Sequence, residues 1–371
     1  MTTPESDHLR FSLAVHRVVA GASGDSVVSP YSIASALGLA SQAADGPAAE
    51  ELLHLLTGGD PDIAKQADLL RAAATLDNTT RQEDPVLAVA NTLWAWDELP
   101  VRDTFLADLA GWPGASAKTA PFVTDPDGAR RAINADVAET TRDLIPELLP
   151  PDSVGADTVA SLVNALYLKA AWQHPFREAT TRDEQFHSPG GGPRRVRMMR
   201  QTERLGYAHQ DGWQVVELPG AGVTATVLLP DGDLAAQEPD LDDTRLATLL
   251  AAPKRVQVDL RLPKIDLDRP ADLTGALKHL GVRTLFEPGE APLGRLTPDP
   301  RAFVSAVQHQ AVLKLDEQGL EGAAATAVMI RTLAAVTPAD PVEVRVDRPF
   351  LLLVRHARTG VVYFFARVVE P

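Results

Sequence analysis

Two rhythms of apolar and polar positions divide the chain. Early on, apolar residues recur three and four positions apart, the period of a helix with one buried face. Ile33, Ala36, Leu37 and Ala40 follow Ser29-Pro30, a pair suited to an N-cap and the first helical position. Pro47 opens a second helix, with Glu50 and Glu51 in its first turn, Leu52, Leu55 and Leu56 on one face, and Gly58 as its stop. A longer helix is expected over 127–149, with Pro146 weakening its last turn. One strand candidate, 86–94, lies among these helices.

From residue 159 the strand rhythm takes over. Candidates are 159–169, 196–200, 214–218, 224–229, 256–264 and 302–315, then 342–346, 350–355 and 361–368, with Gly360 in the turn between the last two. One helix interrupts them at 273–280, closed by Gly281. Helices first and strands later predict an α+β fold rather than alternating α/β. No internal repeat and no Pro/Gly/Ser-rich linker marks a boundary, so residues 1–371 are expected to form one domain.

Charge and composition narrow the function. Lys and Arg total 35 against 50 Asp and Glu, a net charge of −15, which repels phosphate backbones and argues against nucleic acid as a partner. The absence of cysteine removes disulfides, thiolate metal sites and Cys nucleophiles. The first seven residues are polar and acidic and do not read as a secretory signal. No apolar run approaches the roughly 18 residues of a membrane span. A cytoplasmic protein is expected, with an extracellular location left open.

Catalytic constellations are missing. The nine histidines are scattered, without HExxH or other paired spacing, and there is no GxSxG elbow or phosphate loop. No enzyme activity, metal or cofactor is expected. Gly220-Ala221-Gly222-Val223-Thr224-Ala225 fits a loose dinucleotide pattern, but a strand follows it where a helix is required, so a hairpin turn is the better reading. Asn78-Thr79-Thr80 is a glycosylation triplet that also reads as an exposed polar turn. His309, in a half-apolar strand, reads on its own as a hydrogen-bonded core histidine.

The segment 317–327, Glu-Gln-Gly-Leu-Glu-Gly-Ala-Ala-Ala-Thr-Ala, is built almost wholly of small side chains. Composition favours a helix. As a strand, it would place Leu320, Gly322, Ala324 and Thr326 on one face and Glu321, Ala323, Ala325 and Ala327 on the other. The first set holds no charge that burial would penalise.

Several segments then fall into one pattern. Val28-Ser29-Pro30-Tyr31-Ser32-Ile33-Ala34-Ser35-Ala36-Leu37 resembles the start of helix B of the serpins. Leu162-Val163-Asn164-Ala165-Leu166-Tyr167-Leu168-Lys169-Ala170-Ala171-Trp172 resembles that family's LVNAIYFKGxW strand. Phe176, Thr180, Phe186 and Val196-Arg197-Met198-Met199 follow at family spacing, and Leu262-Pro263-Lys264 matches its LPK. Leu315-Asp316-Glu317-Gln318-Gly319 is similar to the hinge, and Arg348-Pro349-Phe350-Leu351 to the strand after the loop. The chain is identified as a member of this family, of prokaryotic type.

The resemblance implies the serpin fold: three β-sheets, eight to nine helices and an exposed reactive-centre loop over about 317–341. It implies a suicide-substrate inhibitor of chymotrypsin-like serine proteases, whose cleaved loop inserts into the central sheet while the acyl-enzyme persists. It implies a hinge of Glu317, Gly319, Leu320, Glu321, Gly322, Ala323, Ala324, Ala325 and Thr326. A shutter of Ser29, Ser32, Asn164 and His309 and a breach of Trp172, Lys264 and Glu317 also carry over, with Lys264 and Glu317 paired. Family spacing places the reactive bond at Leu333–Ala334, with Arg331 and Thr332 as alternatives. The expected partner is a serine protease, and the expected state is a monomer able to polymerise by adding loop to sheet. Leu320 and Gly322 depart from the usual hinge, so a non-inhibitory storage, carrier or chaperone role is the alternative.

Overall fold

Pro4 in the first turn, with a capping box between Thr3 and Ser6, starts a helix that the apolar rhythm does not mark. This is α1 (Pro4–Ala20); it buries His8, Ser12 and His16 beside Phe11, Leu13 and Val15, so its inward face is mixed. The computed structural model describes residues 3–21, 23–77, 84–109, 115–155, 158–288, 290, 292–320 and 340–371. Asn78-Thr79-Thr80, the hinge residues beyond Leu320 and the whole of 331–334 lie outside them.

The first half continues with β1 (Ser26–Val28), α2 (Pro30–Ala43), α3 (Gly46–Thr57), α4 (Ile63–Ala72), β2 (Val86–Trp96), α5 (Asp103–Asp108), β3 (Ala115–Ala120) and α6 (Pro126–Thr140). The second half carries β4 (Ala160–Ala171), β5 (Arg182–Phe186), β6 (Arg194–Gln210), β7 (Trp213–Pro219), β8 (Val223–Pro230), α7 (Leu234–Gln237) and α8 (Asp243–Ala251). It closes with β9 (Lys254–Pro263), β10 (Ile265–Asp272), α9 (Leu273–His279), β11 (Val304–Leu315), β12 (Gly319–Leu320), β13 (Val342–Arg345), β14 (Phe350–His356) and β15 (Val362–Val368). These are nine α-helices among the described residues and a mixed α+β architecture.

The strands form a six-stranded sheet, ordered β10-β11-β12-β4-β2-β3, and a nine-stranded one, ordered β1-β15-β14-β8-β7-β6-β9-β13 with β5 on β6. The 17-residue β6 pairs with β5, β9 and β7 along its length, so hydrogen bonding runs unbroken through the nine-stranded sheet. α2 packs against β4 and β2 of one sheet and β15 of the other. The main core therefore includes Ile33, Leu37, Leu162, Leu166, Leu313 and Phe365 together. A second cluster covers the opposite face of the six-stranded sheet, where Ile133 and Val137 of α6 join Val163, Ala165 and Val312.

The helix expected over 127–149 stops at Thr140. Arg142 and Asp143 adopt left-handed backbone, and the chain then runs on without helix. Asn134 of α6 fixes that return: its amide donates to the Leu149 carbonyl at 2.9 Å and its oxygen accepts from the Leu149 N–H at 2.8 Å. The 220–222 segment is a hairpin turn between β7 and β8, with Gly222 at φ +70°. Asn134→Ala removes both bonds and leaves the Leu149 N–H unpaired, while the Leu149 carbonyl keeps Arg130 at 3.2 Å, so the native state should lose about 1–3 kcal/mol. A thermal or urea melt checks this; an unchanged midpoint would contradict it.

Candidate functional site

β4 and β11 are parallel neighbours over only part of their length. Residues 162–166 of β4 face 307–311 of β11, with His309 opposite Asn164. Higher up the strands part, and the two-residue β12 lies between them. Leu320 faces Leu315 of β11 on one side and Ala170 of β4 on the other, and Gly319 faces Ala171. Leu320 is 1% exposed. A branched apolar residue at this point is thus accommodated in the main core.

The turn that starts β12 is closed by Asp316. Its carboxylate accepts the N–H groups of Gln318 (2.8 Å) and Gly319 (3.2 Å), and its own N–H donates to the Gly319 carbonyl (3.0 Å). Gly319 is required by space: a Cβ there would lie 2.2 Å from the Ala170 carbonyl oxygen. Trp172, buried at the end of β4, donates its indole N–H to the Asp316 carbonyl and its backbone N–H to the Gln318 carbonyl, each at 2.9 Å.

Glu317 is also buried in this turn. Lys264 Nζ lies 2.6 Å from one carboxylate oxygen and the Thr181 hydroxyl donates to the other at 2.7 Å. The Phe176 N–H donates to its carbonyl at 2.9 Å. Burial alone would raise the Glu317 pKa, but the Lys264 and Thr181 hydrogen bonds outweigh it and hold the carboxylate below its ordinary range.

Beneath the β4–β11 pairing lies a polar network. His309 Nε2 accepts the Ser29 N–H at 3.2 Å, which places the ring proton on Nδ1, and Nδ1 donates to Asn164 Oδ1 at 2.9 Å. The Ser32 hydroxyl donates to the same oxygen at 2.7 Å, while the Asn164 amide donates to the Ser32 carbonyl at 2.8 Å and to Asn91 Oδ1. The Ser29 hydroxyl caps α2 by accepting the Ser32 N–H. His309 is fully buried, and burial lowers its pKa to about 3, so it is neutral here.

The structure therefore gathers Ser29, Ser32, Asn164 and His309 in one cluster and Trp172, Lys264, Glu317 and Gly319 in another. Sequence reasoning did not single out three members. Asp316 had a readable signal, an acidic residue three positions before a glycine. Thr181 and Asn91 had none, because their partners are remote in the chain.

Comparison with known proteins places this geometry. A family model described as Serpin (serine protease inhibitor) matches residues 6–371. Iripin-2 of Ixodes ricinus is 32% identical over 373 residues, covering 97% of this chain and 91% of the relative. The leukocyte elastase inhibitor of Bos taurus is 31% identical over 360 residues, covering 94% and 93%. The structure of uncleaved ovalbumin superposes with a TM-score of 0.86 at 22% identity, covering 100% of both chains. Other relatives come from Oryza sativa and Homo sapiens, so the prokaryotic-type reading draws no support from them.

Gly319→Ala cannot keep β12 against β4, so the thermal midpoint should fall, with a loss above about 1 kcal/mol; an unchanged midpoint would contradict the close approach. The pKa of His309 is depressed below its ordinary 6.5, so its contribution to stability is complete above pH 6.5 and declines as pH falls toward 3. Melts between pH 7 and pH 4 should show a steeper decline for the native protein than for His309→Gln; equal slopes would refute the assignment.

Proposed function

Because the chain belongs to the serpin family, we propose that it is an inhibitory member, one domain over 1–371, that traps chymotrypsin-like serine proteases by loop insertion. The observation that carries this reading is a shared register. β12 is antiparallel to both neighbours, and its offsets to β4 and β11 agree with the offset between those two strands. A strand continuing from Leu320 could run down the split without slipping against either side. Thr326 would then fall between Asn164 and His309, which now face each other.

The same register sorts the loop's side chains. Leu320 shares its face with Ala170 and Leu315, so Gly322, Ala324 and Thr326 would follow it into the main core. Each is small and uncharged. Glu321, Ala323, Ala325 and Ala327 would point to the α6 side. In the reaction, the protease serine attacks the carbonyl of Leu333, the amine of Ala334 leaves, and an ester links the loop to the enzyme. Insertion carries the ester away from the position where water is activated, and displacements near 1 Å can cost about 10²-fold in rate. A large apolar residue at 333 suits the slot of chymotrypsin-like enzymes, while Arg331 or Thr332 as the bait would shift the target. The relative named as an elastase inhibitor supports a protease partner.

The test is incubation with chymotrypsin. An SDS-resistant complex at the summed mass is expected, together with a cleaved form that melts higher than the intact protein. Thr326→Arg should be cleaved without forming complex, because a charge would have to enter the core. Cleavage of the native protein without complex would remove the inhibitor reading for this protease. A cleaved form no more heat-stable than the intact one would remove loop insertion.

A further inference from the structure

Beside the turn that holds Glu317, a cavity of about 440 Å³ opens between the 175–182 segment and strands β6 and β9. Four arginines line it, Arg177 and Arg182 on the segment, Arg200 on β6 and Arg261 on β9. Two carboxylates, Glu184 and Glu203, accompany them. The lining is therefore net cationic on a chain whose overall charge is −15.

The arginines are not equivalent. Arg200 is committed to Asp259 by two hydrogen bonds of 2.9 and 2.6 Å, and Arg261 lies 3.3 Å from Glu184. Glu184 is shared with Arg345, which it meets at 2.6 Å. Among the described residues, Arg177 has no carboxylate within ion-pair distance, and Arg182 donates only to the Thr181 carbonyl at 2.9 Å. Two exposed guanidinium groups thus face a cavity with their charge unmatched. The walls also meet: the single proton of the Thr180 hydroxyl is shared between the Arg177 carbonyl at 2.7 Å and the Arg200 carbonyl at 3.1 Å.

We propose that this cavity binds a compact multivalent oxyanion, a small molecule carrying two or more phosphate or sulfate groups. Planar guanidinium groups match such oxygens in pairs: Arg177 and Arg182 supply the unmatched charge on one wall, and Arg200 and Arg261, though paired with carboxylates, keep further N–H donors on the other. The volume falls in the range of small-molecule sites, about 300–1,000 Å³. Protease inhibition as described above does not use these arginines, so the site stands independently of it. Its position matters because the segment contributed by Arg177 and Arg182 also supplies the Phe176 and Thr181 hydrogen bonds to Glu317. A bridging anion would hold that segment against β6 and β9.

Calorimetric titration of the full chain with inorganic tripolyphosphate, at about 0.15 M salt, tests the proposal, and a parallel titration with a disulfated disaccharide distinguishes phosphate from sulfate ligands. Saturable one-to-one binding of at least one anion is expected. The double variant Arg177→Ala/Arg182→Ala should bind at least about tenfold more weakly with an unchanged melting temperature, whereas Arg255→Ala, outside the cavity, should bind normally. Hydrogen exchange should slow in 175–182 and 200–203 when the anion is bound. Absence of saturable binding by both anions, equal affinity in the double variant, or protection confined to other segments would overturn the site.

Discussion

β4 and β11 hold each other through parallel pairing at 162–166 and 307–311, and the rest of the molecule is arranged around that contact. Below it, α2 and the main core support one face of the sheet; α6 covers the other. Above it, β12 occupies the first two positions of an additional strand. The pairing keeps the sheet closed, while its register matches that of the wedge. The register that closes the sheet and the register that seats β12 are therefore the same backbone geometry, within the metastable serpin fold.

The side chains beneath the pairing explain how a closed sheet can stay specific without being locked by bulk. Asn164 and His309 meet across the two strands, and both reach back to the start of α2 through Ser29 and Ser32. Each bond is satisfied only at one spacing of the strands, so misplacing them leaves buried polar groups unpaired. At the other end, Glu317 is held on three sides by Lys264, Thr181 and the Phe176 amide. These contacts fix where β12 begins, and Gly319 lets it approach β4 closely.

Much of this could be read from the chain. The apolar-rich runs 302–315 and 159–169 match the two central strands to within two residues, and both strands contribute to the core clusters on the two faces of the sheet. The polar members of the site were legible only through their resemblance to a known pattern. His309 by itself reads as a core histidine, and its environment bears that out physically: it is neutral and hydrogen-bonded. β5 is hard to read because exposed residues such as Asp183 leave little apolar alternation, and β10 because its alternation of Ile265 and Leu267 with Asp266 and Asp268 stops at Arg269. The overlong helix at 127–149 failed because side-chain bonds from Asn134, which no periodicity encodes, turn the chain back. The proposed reactive bond, Leu333–Ala334 with Arg331 and Thr332 as alternatives, lies outside the described residues.

On the proposed mechanism, the segment after Leu320 becomes a strand between β4 and β11 once the loop is cleaved. A crystal structure of the protein cleaved within its loop tests this most directly. The register predicts Thr326 between Asn164 and His309, with those two residues no longer paired to each other. A cleaved structure in which 162–166 and 307–311 remain direct neighbours would contradict it.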